Sequence, residues 1–298
     1  MPLGEYFSKI ILLASIVFFT SCNADENMHL EGWLVYSNGG SSINAITLGG
    51  SEYNFSSIYR GKEIGAINHL TSATSDIILF GECAITGECV IKQCSVEVGQ
   101  TRLLRSGRLP SYISNHDKLF FYDRASDGDN WLFITSLKDV NAITKVAKEP
   151  KWKSLPNGIS QPVTTAVIQI SSDEIIFVGE DEQLWLYNIA NTKLTSTDVK
   201  SCRPVLWRDK SNQLLCSDWK TWDPFLLDIK TKGKVRMPEF KGAYGFVYVP
   251  NSDALIYGRT RSSFLLGEAY DIFLYSFTDK KEERIKENSH IAGGVWRK

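Results

Sequence analysis

Short apolar runs separated by turn-forming residues fill the chain from about residue 30 to its end. Each run is rich in Val, Ile, Phe, Tyr and Trp, and polar turn residues interrupt the pattern roughly every ten residues. No long stretch has the 3.6-residue periodicity of an amphipathic helix. The pattern therefore predicts an all-β protein. The predicted strands include 33–37, 77–83, 119–122, 175–179, 184–189, 214–217, 225–229, 255–258 and 272–277.

A longer repeat groups these strands into units of about 45 residues. Each unit opens with two strands joined by a tight polar turn, and a third apolar strand and a polar fourth strand follow. Polar outer strands are expected at a sheet edge. Units of four strands at this period predict the blades of a β-propeller. Complete units cover 63–108, 109–149, 160–199, 200–240 and 241–288.

The two ends of the chain supply the strands of one more unit. Residues 290–297 match a first strand, and residues 32–58 match a second, third and fourth strand. A sheet built from both termini would close the ring and leave no open edge. The sequence therefore predicts a single six-bladed β-propeller over 31–298, with a closing blade of mixed N- and C-terminal origin.

One turn and one strand resemble a known repeat. The sequence Asn251-Ser-Asp-Ala-Leu-Ile-Tyr, followed by Asp271-Ile-Phe-Leu-Tyr-Ser-Phe, resembles the WD40-like repeats of TolB-type propellers. The resemblance covers most of 63–288 and implies the propeller fold. TolB carries an additional N-terminal α/β domain, whereas the strands here begin about ten residues after Cys22. We therefore expect no accessory domain, and a TolB-like role in membrane integrity is not transferred.

The first 22 residues have the pattern of an export signal. Lys9 precedes an apolar run over 10–19, which is too short to span a bilayer comfortably. Phe19-Thr-Ser-Cys22 resembles a bacterial lipobox, in which the peptide is cut before the cysteine and the thiol is lipidated. The prediction is a signal peptide over 1–21, a lipidated (palmitate-carrying) Cys22 and a linker over 22–30. An ordinary secretory signal is the alternative.

Asn23, the residue after Cys22, indicates whether such a lipoprotein would be sorted to the inner or the outer membrane. The residue after the lipidated cysteine is not the Asp that, in enteric bacteria, resembles an inner-membrane retention signal. We therefore expect an outer-membrane lipoprotein that faces the periplasm and meets the membrane only through its lipid.

The composition and net charge of the chain indicate a folded protein and argue against a nucleic-acid partner. With 43% hydrophobic and 22% charged residues, the chain is globular rather than disordered. Its formal net charge of -1 gives no whole-molecule attraction to nucleic acid, so no nucleic-acid partner is expected.

Five cysteines remain beside Cys22. Cys83 and Cys89 flank a predicted hairpin loop and could form a disulfide across it, with buried free thiols as the alternative. The odd number leaves at least one thiol without an intramolecular partner. No cysteine pair has zinc-ligand spacing, and we expect neither a metal nor a cofactor.

Strand alternation assigns the loops of a propeller to two faces. Loops between the second and third strands of a blade share one face, here called the top face, with the segments that join successive blades. Binding residues concentrate on loops carried by a rigid scaffold, and Trp is enriched in interface hot spots. Indoles folded back onto the blades are the alternative. The candidate binding residues are Trp152, Trp219, Trp222 and, in a predicted loop over 259–268, Arg261, Phe264, Leu265 and Leu266.

Another set of residues could line the central channel: Tyr112, Arg203, Tyr244, His69 and His290. They could bind an anion or a sugar, or act as a base, and a structural role is the alternative. The predicted starts of the innermost strands supply no carboxylate, which disfavours a calcium-dependent hydrolase. Asp127 and Asp129 are interpreted as turn residues rather than as a calcium site.

These observations support two hypotheses of function. The first is a lipoprotein that binds a protein partner through its top face, as an envelope scaffold or as an immunity protein against a periplasmic toxin. The second is a carbohydrate-active or other enzyme that uses the channel. No hydrolase, metalloprotease or phosphate-loop motif is present, so we expect a binding protein rather than an enzyme.

Overall fold

The second strand of each blade is buried on both faces, which explains its unbroken apolar sequence. In the computed structural model of the chain, Leu119 and Phe121 pack toward one neighbouring blade, whereas Phe120 and Tyr122 pack toward the other. Successive side chains of a strand point to opposite faces, so a blade between two others needs apolar residues at every position. The structure describes residues 32–38, 40, 42–48, 54–60, 65–84, 86–151, 153–154, 160–161, 165–218, 220–263, 267–291 and 293–297.

Six four-stranded antiparallel sheets form the blades I to VI of a β-propeller. Around the centre, the innermost strands contact one another between blades I and II, II and III, IV and V, V and VI, and VI and I. The strands, innermost first in each blade, are: I, β26 (Gly293–Arg297), β1 (Gly32–Ser37), β2 (Ser42–Leu48) and β3 (Asn54–Arg60); II, β4 (Gly65–Ser72), β5 (Ile77–Ala84), β6 (Cys89–Ser95) and β7 (Thr101–Ser106); III, β8 (Arg108–Ile113), β9 (Lys118–Arg124), β10 (Asn130–Thr135) and β11 (Thr144–Lys148); IV, β14 (Ile168–Gln169), β15 (Glu174–Val178), β16 (Gln183–Asn188) and β17 (Lys193–Lys200); V, β18 (Arg203–Arg208), β19 (Gln213–Ser217), β20 (Pro224–Asp228) and β21 (Lys234–Arg236); VI, β22 (Ala243–Val249), β23 (Ala254–Ser263), β24 (Gly267–Ser276) and β25 (Lys281–Lys286).

Two short strands, β12 (Lys153–Ser154) and β13 (Ser160–Gln161), pair in the segment between blades III and IV. The helical elements among the described residues are single 3₁₀ turns, at Ser114–His116, Asp209–Ser211, Pro238–Phe240 and Pro250–Ser252. Within the described part of the chain, no helix has the length and apolar character needed to cross a membrane.

Blade I is closed by strands from both ends of the chain, which confirms the predicted architecture. The C-terminal strand β26 pairs with the N-terminal strand β1, from Trp33 opposite Arg297 to Ser37 opposite Gly293. At Gly245, which has a φ of +63°, a Cβ atom would lie 2.1 Å from the carbonyl oxygen of Ile291. Glycine therefore lets the inner strand of blade VI approach the segment that leads into β26.

A recurring turn connects the first two strands of blades III and VI. In each, a 3₁₀ turn ends at an aspartate in the left-handed region, Asp117 at a φ of 48° and Asp253 at 46°. A tyrosine five residues earlier donates its hydroxyl to that carboxylate, at 3.0 Å from Tyr112 and 2.9 Å from Tyr248. Short polar side chains tolerate this backbone conformation and bond locally, so the turn is specified by sequence.

The hairpin of β23 and β24 corrects the loop predicted over 259–268. Both strands are ten residues long, and the ladder continues from Arg259 opposite Asp271 to Ser263 opposite Gly267. No proline or turn signal interrupts residues 259–263, so the antiparallel pairing extends beyond the usual end of the blade. The connection between the strands shortens to 264–266.

Candidate functional site

Loop 218–223 presents Trp222 on the top face of blade V. Asp218 accepts hydrogen bonds from the backbone N–H groups of Lys220 and Thr221, at 2.8 and 3.0 Å. The backbone N–H of Trp222 donates to the carbonyl of Asp218 at 2.7 Å, and the hydroxyl of Ser217 donates to the carbonyl of Trp222 at 3.2 Å. These bonds hold Trp222 in place while its side chain remains 42% exposed.

Arg203 lies under this tryptophan at the channel end of blade V. It is the first residue of β18 and pairs with Ser217 across the ladder. Its guanidinium carbon lies 4.7 Å from the centre of the Trp222 ring, within the range of a cation–π contact. Burial lowers the pKa of Arg203. The structure therefore brings together two residues that the sequence had assigned to different sets, the channel and the binding loops.

A second cluster of aromatic side chains lies where blade VI meets blade I. The rings of Tyr244 and His290 stack with centroids 4.8 Å apart, and Tyr270 meets His290 edge-on at the same distance. His290 Nδ1 lies 2.9 Å from the carbonyl oxygen of Asn38, which can only accept, so Nδ1 carries the proton. Tyr244 and His290 were predicted channel residues, whereas Tyr270 was missed because it lies on a third strand.

A third site at the channel end, in blade III, combines Arg108 with Glu149. Arg108 Nη2 donates to Glu149 Oε2, and the guanidinium carbon lies 5.7 Å from the ring centre of Tyr122. Both charged side chains are largely buried. Sequence reasoning missed this pair, because Glu149 belongs to the segment after β11, and 41 residues separate it from Arg108.

The other two predicted channel residues lie on the innermost strands of blades II and III. Tyr112 is next to the last residue of β8, at the end away from the top face, and it packs against the core between blades II and III. Burial and the hydrogen bond to Asp117 raise the pKa of Tyr112 to about 12. His69 lies within the innermost strand β4, and burial lowers its pKa to about 4. His69 is therefore neutral at physiological pH.

The structure contains two disulfides and one free thiol among its described cysteines. Cys83 bonds to Cys89 across β5 and β6, where the two residues are direct partners, and Cys202 bonds to Cys216 in blade V. Cys94 is free and buried. The second disulfide lies beside Arg203 and ties the segment before β18 to β19.

The two acidic residues of the loop in blade III are engaged by lysines. Asp127 pairs with Lys145 at 2.8 Å, and Asp129 pairs with Lys148 at 2.9 Å. Across the described residues, no group of three or more His, Cys, Asp or Glu side chains is arranged to hold a metal ion.

Several predicted residues lie outside the described part of the chain. These are Cys22, Trp152, Trp219, Phe264, Leu265 and Leu266, together with the side chain of Arg261, whose backbone belongs to β23. Their predicted roles stay predictions.

Comparison with known proteins finds similarity in structure only. No protein-family model matches the chain, and no curated protein matches it. TolB from Acinetobacter baumannii superposes with a TM-score of 0.62 and 11% identity, over 89% of this chain and 66% of that protein. The putative TolB from Agrobacterium tumefaciens gives 0.56 and 8%, over 80% and 88%. A protein of unknown function from Bacteroides caccae gives 0.52 and 12%, over 90% and 100%.

These similarities show that the chain has a TolB-type propeller fold. Identities of 8–12% carry no information on partner or activity. The chain spans 66% of the length of the Acinetobacter TolB, so what the whole of that protein does is not transferred.

Proposed function

We propose that this protein is an envelope lipoprotein that binds a protein partner through the top face of its propeller. The lipobox-like sequence ending at Cys22 supports export and anchoring. The TolB-type fold supplies a rigid scaffold for surface loops but does not select a partner. An envelope scaffold and an immunity protein are the two roles that fit this proposal.

The observation that carries the proposal is the exposed Trp222 in a well-bonded loop. Trp residues dominate the binding energy of many interfaces because a large ring is buried with little loss of side-chain freedom. Hydrogen bonds that Asp218 accepts and Ser217 donates hold the loop before any partner arrives. Arg203 supports the inner side of the ring. A preorganised aromatic anchor loses less entropy on binding than a mobile one.

Affinity capture with the full chain, purified in detergent from its native envelope, tests the proposal. We expect Trp222→Ala to lose the captured partner. Trp33→Ala is the matched control, since Trp33 is 45% exposed but lies at the opposite end of blade I, away from the top face. The proposal is contradicted if Trp222→Ala captures as much partner as the wild type, or if Trp33→Ala loses as much partner as Trp222→Ala. A secreted toxin among the captured proteins indicates the immunity role, and an envelope protein indicates the scaffold role.

The anchor is tested separately by metabolic labelling with palmitate. The wild-type chain should take up label and fractionate with the outer membrane, and Cys22→Ala should do neither. If the wild-type chain is secreted without taking up palmitate, the ordinary secretory signal is supported instead. Because the labelling does not involve the top face, the two parts of the proposal fail independently.

A channel enzyme is the second candidate function, and His290 is the observation that favours it. In the neutral tautomer that carries its proton on Nδ1, Nε2 is an acceptor, and it lies beside two tyrosines. An acceptor of this kind could serve as a general base. Screening acidic and neutral polysaccharides with wild type and His290→Gln tests the idea, and turnover that survives in His290→Gln excludes His290 as the base.

A further inference from the structure

Arg203 is a partly buried positive charge that has no acidic partner in the described part of the chain. Among the described residues, its guanidinium makes no hydrogen bond and no ion pair, and its one contact of note is the ring of Trp222. Burial lowers its pKa. Arg203 is partly exposed to solvent rather than fully buried. The donors are therefore unused and reachable.

The other largely buried arginines that the structure describes are neutralised, which makes Arg203 an exception among them. Arg108 also begins the innermost strand of its blade, and it is paired with Glu149. Arg208 is paired with Asp253, and Arg259 with Glu282. A buried charge without a partner is costly, and proteins rarely keep one unless it serves a purpose.

The surroundings of Arg203 indicate the chemistry of the missing partner. A guanidinium presents paired N–H donors that match the two oxygens of a carboxylate. In the described part of the chain, no hydrogen bond or ion pair joins Arg203 to another charged side chain, so the site offers one guanidinium, which matches a single negative charge. Trp222 adds a flat apolar surface directly beside the charge.

We propose that Arg203 and Trp222 form a receptor for a carboxylate group, with the guanidinium binding both oxygens and the indole covering the adjoining carbon atoms. The carboxylate can belong to an acidic amino-acid side chain or to an acidic sugar, which present the same group. The receptor goes beyond the proposed partner binding and does not depend on it, because Trp222 can act as an interface anchor whether or not Arg203 binds an anion.

NMR titration of the indole N–H signal of Trp222 tests the receptor in the full chain in detergent, with the signal assigned by its loss in Trp222→Phe. The probes are N-acetyl-aspartate amide and D-glucuronate. Their neutral counterparts, N-acetyl-asparagine amide and D-glucose, are the ligand controls. We expect the signal to shift saturably with at least one of the two carboxylates. The probe that binds more tightly indicates whether the natural ligand is an acidic amino-acid side chain or an acidic sugar.

The protein variants separate this site from general anion binding. Arg203→Gln should weaken carboxylate binding about tenfold or more. Arg236→Gln is the matched control, because Arg236 is exposed on the outermost strand of the same blade and should leave binding unchanged. A signal that no carboxylate moves, that the neutral probes move equally, or that still shifts in Arg203→Gln overturns the proposal.

A second measurement does not need a ligand. If Arg203 is kept for binding, Arg203→Met should raise the urea midpoint of unfolding of the ligand-free protein, since it removes an unpaired buried charge. Arg108→Met, which leaves Glu149 without its arginine, should lower the midpoint. Equal destabilisation in both variants would show that Arg203 is structural and would overturn the proposal.

Discussion

Arg208 of blade V holds Asp253 of blade VI through two parallel hydrogen bonds, Nε to Oδ1 at 2.8 Å and Nη2 to Oδ2 at 2.5 Å. The side chains are only 16% and 8% exposed. Because Asp253 lies in the turn between β22 and β23, the pair joins two blades on the face opposite the candidate site. His116 contacts Asp173 between blades III and IV at 2.7 Å in the corresponding turns.

Breaking the Arg208–Asp253 pair should be strongly destabilising. Arg208→Met keeps most of the apolar stem but leaves a buried carboxylate without its charged partner, and we expect a loss of about 3 kcal/mol in the free energy of unfolding. Urea denaturation measures it. Lys232→Met is the control, because the pair of Lys232 and Asp198 is exposed on both sides and should contribute no more than about 0.5 kcal/mol. Similar losses in the two variants would contradict the expectation.

The pair of Arg208 and Asp253 should also make the free energy of unfolding depend on pH in the acidic range. The hydrogen bond from Arg208 lowers the pKa of Asp253 below its ordinary value. A carboxyl whose pKa is lower in the folded than in the unfolded protein stabilises the fold above the unfolded pKa, and this contribution disappears as pH falls through the folded pKa. The free energy of unfolding of wild type should therefore decline below about pH 4. It should decline less in Arg208→Met, and parallel curves would contradict this.

Glycine at position 245 should be required for ring closure. Gly245→Ala would place a Cβ atom 2.1 Å from the carbonyl oxygen of Ile291 at a φ of +63°, and should cost about 2–4 kcal/mol. Gly242→Ala is the matched control, since Gly242 has a φ of +73° but no atom within 4 Å of its Cβ position. It should cost only the backbone strain, about 1 kcal/mol. Chemical denaturation distinguishes them, and equal costs would show that crowding at Ile291 is unimportant.

The disulfide beside Arg203 should contribute measurably to stability. Replacing Cys202 and Cys216 together by Ala opens a loop of 14 residues in sequence separation and should cost about 3 kcal/mol through the entropy of the unfolded chain. Replacing Cys83 and Cys89, which are six apart, should cost about 2 kcal/mol. Unfolding of each variant with and without reductant measures these costs. In each variant, reductant should remove only the stability that the remaining disulfide contributes. A larger loss, which includes the contribution of the disulfide already replaced, would contradict the pairing of the cysteines.

Cys94 should be chemically inert in the folded protein. Burial, with a smaller contribution from Asp76, raises the pKa of its thiol to about 11. The reactive thiolate is therefore scarce at neutral pH, and the side chain is inaccessible. Iodoacetamide followed by mass spectrometry should label Cys94 only after urea unfolding. Rapid labelling of the native protein would show that blade II opens locally.

The sequence was sufficient for the fold because blades are local units. Each hairpin uses residues close in sequence, such as Tyr248 and Asp253, and each sandwiched strand carries its own unbroken apolar run. Even the closure of blade I followed from counting strands at the two ends. The extent of the β23–β24 hairpin did not follow, since residues 259–263 have no strong apolar pattern and pair only because their partners lie opposite.

The candidate site was accessible to sequence analysis only in part. Residue type and loop position singled out Trp222 and Arg203 separately, but their stacking depends on how loop 218–223 folds over the start of β18. That Glu149 neutralises Arg108, while no described carboxylate pairs with Arg203, is likewise a property of packed neighbours. The sequence by itself determined the blades, because their contacts are local and repeated. Only the tertiary structure decided which charge remains unpaired, because that depends on residues from distant segments meeting at the channel mouth.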